Sequence, residues 1–290
     1  MDQSVAERIA SLSGYGPTSS VPQAQYRLDV VSKWPIHAGA RVLELGCGQG
    51  DTTLALAESV GASGHVYALD PGPTDYGSPT TLGEAHDVIT AGPLGSRITW
   101  IQDEPLAYLS SHPDSQYDVV VLAHSLWYFA SPSLIAETLR VLKKHARHIC
   151  IAEWSLSYGK GSSGETHVLA VLAQAALECR KPTSTSNVRT VVSPARIKAL
   201  AAQAGLTLAS EHLVAPGQGV HDGRWETQHV LSSGFLKEVE QFVLDEREKD
   251  MVIAFKDSVA ASVDRIGGTK QVQSMDGWTA TFESSNVEVL

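Results

Sequence analysis

Cysteine is scarce: Cys47, Cys150 and Cys179 are spread through 290 residues with no CxxC pair. That spacing supports neither a disulfide framework nor a zinc-ligand set, and no metal is expected. Positive charge is also short, with 22 Lys+Arg against 32 Asp+Glu and a formal net charge of -10 at pH 7. Nucleic acid and anionic membrane surfaces require a basic footprint, so neither is expected as a partner. Long apolar runs are missing too. The most apolar helical stretch, Val168–Leu177, contains Gln174 and is about half the length needed to cross a bilayer. Met1-Asp2-Gln3 opens no basic, then apolar, leader, and a cytoplasmic location is the expectation. What remains is an ordinary globular composition, 43% hydrophobic and 19% charged, long enough for a substantial core.

From about residue 38 short β-type runs alternate with helical patterns, the mark of a parallel sheet covered on both faces. The strands read Arg41–Leu45, His65–Leu69, Arg97–Ile101, Tyr117–Leu122 and His148–Ala152. The fourth is the most apolar, as a central strand buried on both faces should be. Helices are expected over Thr52–Val60, Gly83–Ala91, Pro105–Ser110 and Pro132–Lys144, the last opened by Ser131 as N-cap and Pro132 in the first turn. A Gly/Ser loop at 159–164 precedes an apolar helix, Glu165–Cys179, and then a polar loop, Lys181–Asn187. Ser193-Pro194 opens a helix through Ala204, followed by a sixth strand, Leu206–Val214. Phe235–Ile266 reads as one or two charged amphipathic helices, and Gly277–Phe282 as the last strand. Gln23–Trp34 is helix-like, after an early stretch rich in Ser, Gly and Pro, and no internal repeat is visible.

The segment that carries chemistry is Glu44-Leu-Gly46-Cys47-Gly48-Gln-Gly50-Asp51, directly after the first strand and opening a helix. Alternate glycines permit positive φ and close approach of a ligand to the backbone. The helix start supplies free N–H donors for an anionic group. A dinucleotide loop, G-x-G-x-x-G, would need a third glycine at 51, where this chain has Asp51. The segment instead resembles motif I of the class I S-adenosylmethionine-dependent methyltransferases, E/D-x-G-x-G-x-G, through Glu44, Gly46, Gly48 and Gly50.

That resemblance implies a Rossmann-like α/β fold: a doubly wound, mostly parallel seven-stranded sheet with helices on both faces and a helical insertion before the last strand. It implies an N-terminal helical cap over 1–34 and a methyltransferase domain over 35–290, with candidate substrate lids at 155–190 and 215–270. The implied cofactor is S-adenosyl-L-methionine. Asp70 takes the place of the acidic residue that grips the ribose hydroxyls, and Asp103 that of the residue meeting the adenine amine. The implied cofactor pocket comprises Glu44, Gly46, Cys47, Gly48, Gly50, Asp70, Pro71, Asp103, Glu104, Ala123 and His124. The implied activity is methyl transfer to a small organic acceptor through oxygen, nitrogen, sulfur or carbon, in the manner of secondary-metabolism enzymes. A cofactor-binding partner protein without turnover is the alternative.

His124 is the candidate catalytic residue, at the C-terminal end of a central strand, where ligands bind in open α/β sheets. Near neutral pH an imidazole can take a proton from a hydroxyl, thiol or ammonium; its alternative is packing beside the cofactor. Candidate acceptor-side residues are Trp127, Tyr128, Glu153, Trp154 and Trp225. The first two and Phe129 are an aromatic wall or core, and Glu153 is an amine ligand, a base or a turn carboxylate. Residues 218–226 are a lid or an ordinary surface loop, and Tyr26 and Arg27 pack or reach the cofactor's tail. The apolar helix over 165–179 lines an acceptor pocket or forms a homodimer seam. Asp118 reads as a turn residue at the sheet edge.

Overall fold

In a computed structural model, residues 3–13, 21–78, 80–159, 163–184 and 186–284 are described. The early stretch over 14–20 and the middle of the 159–164 loop lie outside them. Two helices, α1 (Gln3–Leu12) and α2 (Val21–Val31), precede β1 (Arg41–Leu45). Then follow α3 (Asp51–Ser59), β2 (His65–Asp70), α4 (Leu82–Ala91), β3 (Ile98–Gln102), α5 (Pro105–Ser111), β4 (Tyr117–Ala123), α6 (Pro132–Leu142) and β5 (Ala146–Trp154). The second half runs α7 (Glu165–Glu178), α8 (Pro194–Gln203), β6 (Leu206–Val214), α9 (Asp222–Val230), α10 (Ser233–Phe242), α11 (Glu246–Ile266) and β7 (Gly277–Ser284).

The seven strands form one sheet in the order β3-β2-β1-β4-β5-β7-β6. β1 to β5 pair in parallel, while β7 inserts antiparallel between β5 and β6. The order reverses between β1 and β4, so the crevice at the carboxyl ends of those two strands is the expected ligand position. β4 is buried along nearly its whole length, as its run of Val119, Val120, Val121 and Leu122 requires. Local signals set the flanking helices. Ser131 Oγ accepts the Leu134 N–H ahead of α6, Ser193 does the same for Arg196 ahead of α8, and Thr81 and Glu84 close a capping box on α4.

Three sequence readings are corrected. Residues 222–226, part of the 218–226 segment read as a lid or an ordinary surface loop, are no loop but open the helix α9, in which Gly223, Thr227 and Val230 are buried. Glu153 is no turn carboxylate; it lies within β5 and is 1% exposed. Asp118 belongs to β4, where its carboxylate accepts the Arg41 N–H at 2.7 Å and ties two strands. The insertion between β6 and β7 also has a core of its own. Ala170, Ala173 and Leu177 of α7 pack with Val230, Phe235, Val239, Val243, Val252 and Val259 from the later segment. The apolar side of α7 is therefore covered within the chain.

Candidate cofactor and acceptor site

The loop after β1 is shaped by three left-handed glycines, Gly46 (φ +79°), Gly48 (φ +51°) and Gly50 (φ +94°). A Cβ on Gly46 would sit 2.5 Å from the Ser125 Cβ, and one on Gly50 would sit 2.8 Å from Ile89 and from Trp100. At Gly48 the same atom would meet nothing within 4 Å. Two glycines thus serve packing, while the middle one borders open space. Asp70 ties the loop down: one oxygen accepts the Gly48 N–H at 2.8 Å and the other the Gly72 N–H at 2.8 Å. On the far side of the loop, His86 Nε2 lies 2.8 Å from the Gly48 carbonyl, with its ring stacked on Trp100 at 3.7 Å.

Glu44, 1% exposed, accepts the Thr53 hydroxyl at 2.6 Å. Burial pushes its carboxyl up to about 7 against the pull of that hydrogen bond. Cys47 is buried, its thiol raised first by desolvation and then by Glu44 and Asp70, and its N–H bonds Leu69 O at 3.2 Å. Pro71 and Glu104 are exposed on the same edge. Asp103 accepts the Glu104 N–H at 2.8 Å as α5 begins.

His124 closes β4 in a left-handed conformation, φ +52°, held by its N–H on the Ala152 carbonyl at 2.8 Å. A non-glycine residue there is strained, and such strain concentrates at functional positions. Its ring lies 4.5 Å from that of Trp154, which stacks on Tyr26 at 5.7 Å with parallel planes. His124 Nε2 is 3.1 Å from the Tyr26 hydroxyl, and Nδ1 is 3.5 Å from Glu153 Oε1. Burial holds the imidazole well below its usual range, helped by Arg27 and His167, so it is neutral. Burial also pushes Glu153 up to about 8, against backbone N–H groups of Trp154, Trp127 and Leu126.

The remaining sequence candidates are dispersed. Trp127 is a core residue whose Nε1–H donates to the Val192 carbonyl at 3.1 Å. Tyr128 is half-exposed, and Trp225 stands half-exposed on α9. Ala123 is buried beneath His124. Tyr26 and Arg27 are buried, and Arg27 faces Asp222 of α9 at 4.0 Å. His167 of α7 was not singled out from the sequence, yet it packs edge-on to Trp154 at 5.1 Å. Its Nδ1 accepts the Met275 N–H at 3.0 Å, and nothing in the local sequence of an apolar helix signals this. Among the described residues no cluster of His, Cys, Asp or Glu has the arrangement of a metal site, and no helix is long and apolar enough to cross a membrane.

A family model described as a methyltransferase domain matches residues 42–145, which covers β1 to the threshold of β5. A methyltransferase of Diaporthe leptostromiformis, phomM, is 26% identical over 91% of this chain and 84% of its own. A crystal structure of a cyclopropane-fatty-acyl-phospholipid synthase-like protein from Lactobacillus casei is 29% identical, with TM-score 0.83, over 97% of this chain and 100% of that one. Residues 42–145 thus match a methyltransferase domain, and these likenesses support the resemblance of the glycine loop to that of the class I S-adenosylmethionine-dependent methyltransferases. A demethylmenaquinone methyltransferase of Lactiplantibacillus plantarum is 29% identical, but only over 43% of this chain and 50% of its own. The family model ends before β5, so the helical unit of α7 and α9–α11 lies beyond it.

The buried titratable groups make a stability prediction. Glu153, pushed by burial up to about 8 in the fold from an ordinary carboxyl value of 4.5, keeps a proton that the unfolded chain loses. Its favourable contribution is complete below about 4.5 and is lost as pH rises through about 8, with a slope approaching about 1.4 kcal/mol per pH unit between the two. His167, held down to about 3 by burial, has the opposite sign and acts only as pH falls below 6.5. The denaturation midpoint of the protein is therefore expected to fall between pH 6.5 and 8, and Glu153→Gln to flatten that fall. A flat wild-type profile over that window, followed by urea titration, contradicts it.

Proposed function

We propose that this chain binds S-adenosylmethionine along the β1–β4 crevice and methylates a small organic acceptor. The observation that carries the reading is the glycine loop, where Gly48 alone faces open space beside the Asp70 carboxylate. Each Asp70 oxygen accepts one backbone N–H and retains acceptor capacity, which suits a pair of ribose hydroxyls. Asp103, at the end of the neighbouring strand, would take the adenine amine. Pro71 and Glu104 would border the nucleoside, and Glu44, Gly46, Cys47 and Gly50 would hold the loop in shape. When bound, the sulfonium supplies an electrophilic methyl group.

The chain's own contribution is enclosure and positioning, which for well-held reactants reaches effective molarities of about 10⁵–10⁸ M. Neutral His124 stands next to the crevice with basic capacity, and Ala123 leaves room beside it. Trp154 gives an aromatic face that favours a cation. An acidic chain with an enclosed, aromatic interior favours a small acceptor over a nucleic acid. Glu153, Trp127, Tyr128 and Trp225 are the acceptor-side positions to probe.

Calorimetric titration tests the reading. S-adenosylmethionine and S-adenosylhomocysteine are expected to bind at micromolar levels and NAD not at all. Asp70→Ala should weaken both by at least about 100-fold, roughly 2.7 kcal/mol, since it removes charged hydrogen-bond acceptors. Absence of binding by a folded wild-type sample sinks the reading.

A further inference from the structure

The glycine loop and the strand-end carboxylates suit a nucleoside, but they leave one buried polar chain without a role. Tyr26 from α2, His124 at the end of β4 and Glu153 from β5 lie in series, 3.1 Å and 3.5 Å apart. Their side chains are nearly enclosed, with 10% exposure for His124 and 1% for Glu153. Among the described residues, His124 Nδ1 and Glu153 Oε2 make no hydrogen bond. Three polar groups from three separate elements do not converge in a core by chance, because each desolvated group left unsatisfied is destabilising.

The proton positions follow from the geometry. Glu153 Oε1 already accepts the Trp154 N–H at 2.9 Å, so it is the accepting oxygen of the carboxyl. His124 Nε2 faces the Tyr26 hydroxyl at 3.1 Å and takes the accepting role there, so the proton of the neutral ring sits on Nδ1; Nδ1 lies 3.5 Å from Glu153 Oε1 without a hydrogen bond in this structure, a contact of the kind that closes when a reactant is bound. Two features hold Tyr26 in place. Its ring stacks on Trp154, and its hydroxyl is seated against Gly277, where a Cβ would lie 2.1 Å from the oxygen. The strained backbone of His124, φ +52°, aims the ring between its two neighbours. Arg27, Asp222 and Asp276 face Tyr26 from around it, and Arg27 and His167 face His124.

We infer that Tyr26, His124 and Glu153 form one acid–base relay serving an acceptor whose reacting group gives up a proton: a hydroxyl, a thiol or a neutral amine. The inference rests on the methyl-transfer reading above. The acceptor's lone pair forms the bond to the methyl carbon, and the carbon–sulfur bond breaks with its electrons left on sulfur. The acceptor's proton goes to the Tyr26 oxygen while the proton of that hydroxyl moves to His124 Nε2. The positive charge lost at the sulfonium reappears as the imidazolium, so the net charge of the enclosed site is unchanged. Glu153 acts as the positioning residue that fixes the tautomer of His124.

Long-range proton–nitrogen NMR of the histidines, on wild type, Tyr26→Phe and Glu153→Gln, reads the arrangement directly. Wild-type His124 is expected as the Nδ1–H tautomer. Its Nε2 resonance should shift in Tyr26→Phe, and the tautomer should become mixed in Glu153→Gln. Methyl transfer from labelled S-adenosylmethionine to 4-nitrophenol, thiophenol and benzylamine reads the chemistry. At least one should be methylated, and Tyr26→Phe should lower its kcat by at least about 100-fold with KM little changed. An Nε2–H tautomer in the wild type, an unaltered kcat in Tyr26→Phe, or no turnover of any of the three overturns the relay. Calorimetry with S-adenosylhomocysteine on the same samples separates the failures. Normal binding with a negative relay result removes the relay alone, whereas loss of binding in the wild type removes the cofactor reading beneath it.

Discussion

Gly46→Ala is expected to destabilise the protein by about 2–5 kcal/mol, the sum of left-handed strain and overpacking. The added methyl would lie 2.5 Å from the Ser125 Cβ, and Ser125 cannot retreat easily because it is buried and its hydroxyl donates to the Leu45 carbonyl at 2.9 Å. For a chain of this size the thermal midpoint should drop by roughly 5–15 °C. Gly48→Ala should behave differently. Its φ of +51° is within reach of other residues, and its methyl would enter empty space, so stability should fall by only about 1 kcal/mol. That methyl would stand where a cofactor is proposed to lie, and S-adenosylhomocysteine affinity should fall at least tenfold. Thermal melts and calorimetry on the two variants check the separation. Equal stability losses, or unchanged affinity in Gly48→Ala, would contradict the division of the loop into packing and ligand-facing glycines.

The second large effect is a coupling. Gly277→Ala places a methyl 2.1 Å from the Tyr26 oxygen but no nearer than 3.1 Å to any ring carbon. Alone it should destabilise by about 1–3 kcal/mol through overpacking. Tyr26→Phe alone, losing the bond to His124, should cost about 0.5–1.5 kcal/mol. In the double variant the conflict disappears with the oxygen, and the two losses should fall short of their sum by at least about 1 kcal/mol. Urea denaturation of the four proteins measures this. Strict additivity would mean that the Tyr26 hydroxyl is not seated against Gly277. The cycle is independent of any ligand, so it tests the placement of α2 over the sheet by itself.

The nucleotide half was legible because its signals are local. Gly46, Gly48 and Gly50 are recognisable as a set since backbone conformation is a property of the residue. Asp70 and Asp103 are recognisable because strand ends can be counted from hydrophobic runs. The sixth strand, Leu206–Val214, agrees with its sequence boundaries for the same reason, with a proline-opened helix before it and a left-handed glycine between them. The long segment before β7 was harder. Its helix α9 opens on Asp222 and Gly223, which carry little helical preference, and it exists because Val230 and Thr227 are buried against the insertion's own core. Tertiary packing overrides weak propensity there, as it does for Glu153, whose carboxylate reads as a turn group until β7 covers it.

Composition, the succession of strands and helices along the chain, the glycine loop and its two following carboxylates were legible in the sequence alone, since each depends on neighbours a few residues away. The tertiary structure decided everything that requires distant residues to meet. Tyr26 and His124 are separated by 98 positions, and Trp154 lies between α2 and α7. Which histidine is neutral, which carboxylate keeps its proton and which glycine of the loop borders open space are set by burial. Burial is a property of the assembled layers, and no window of sequence contains it.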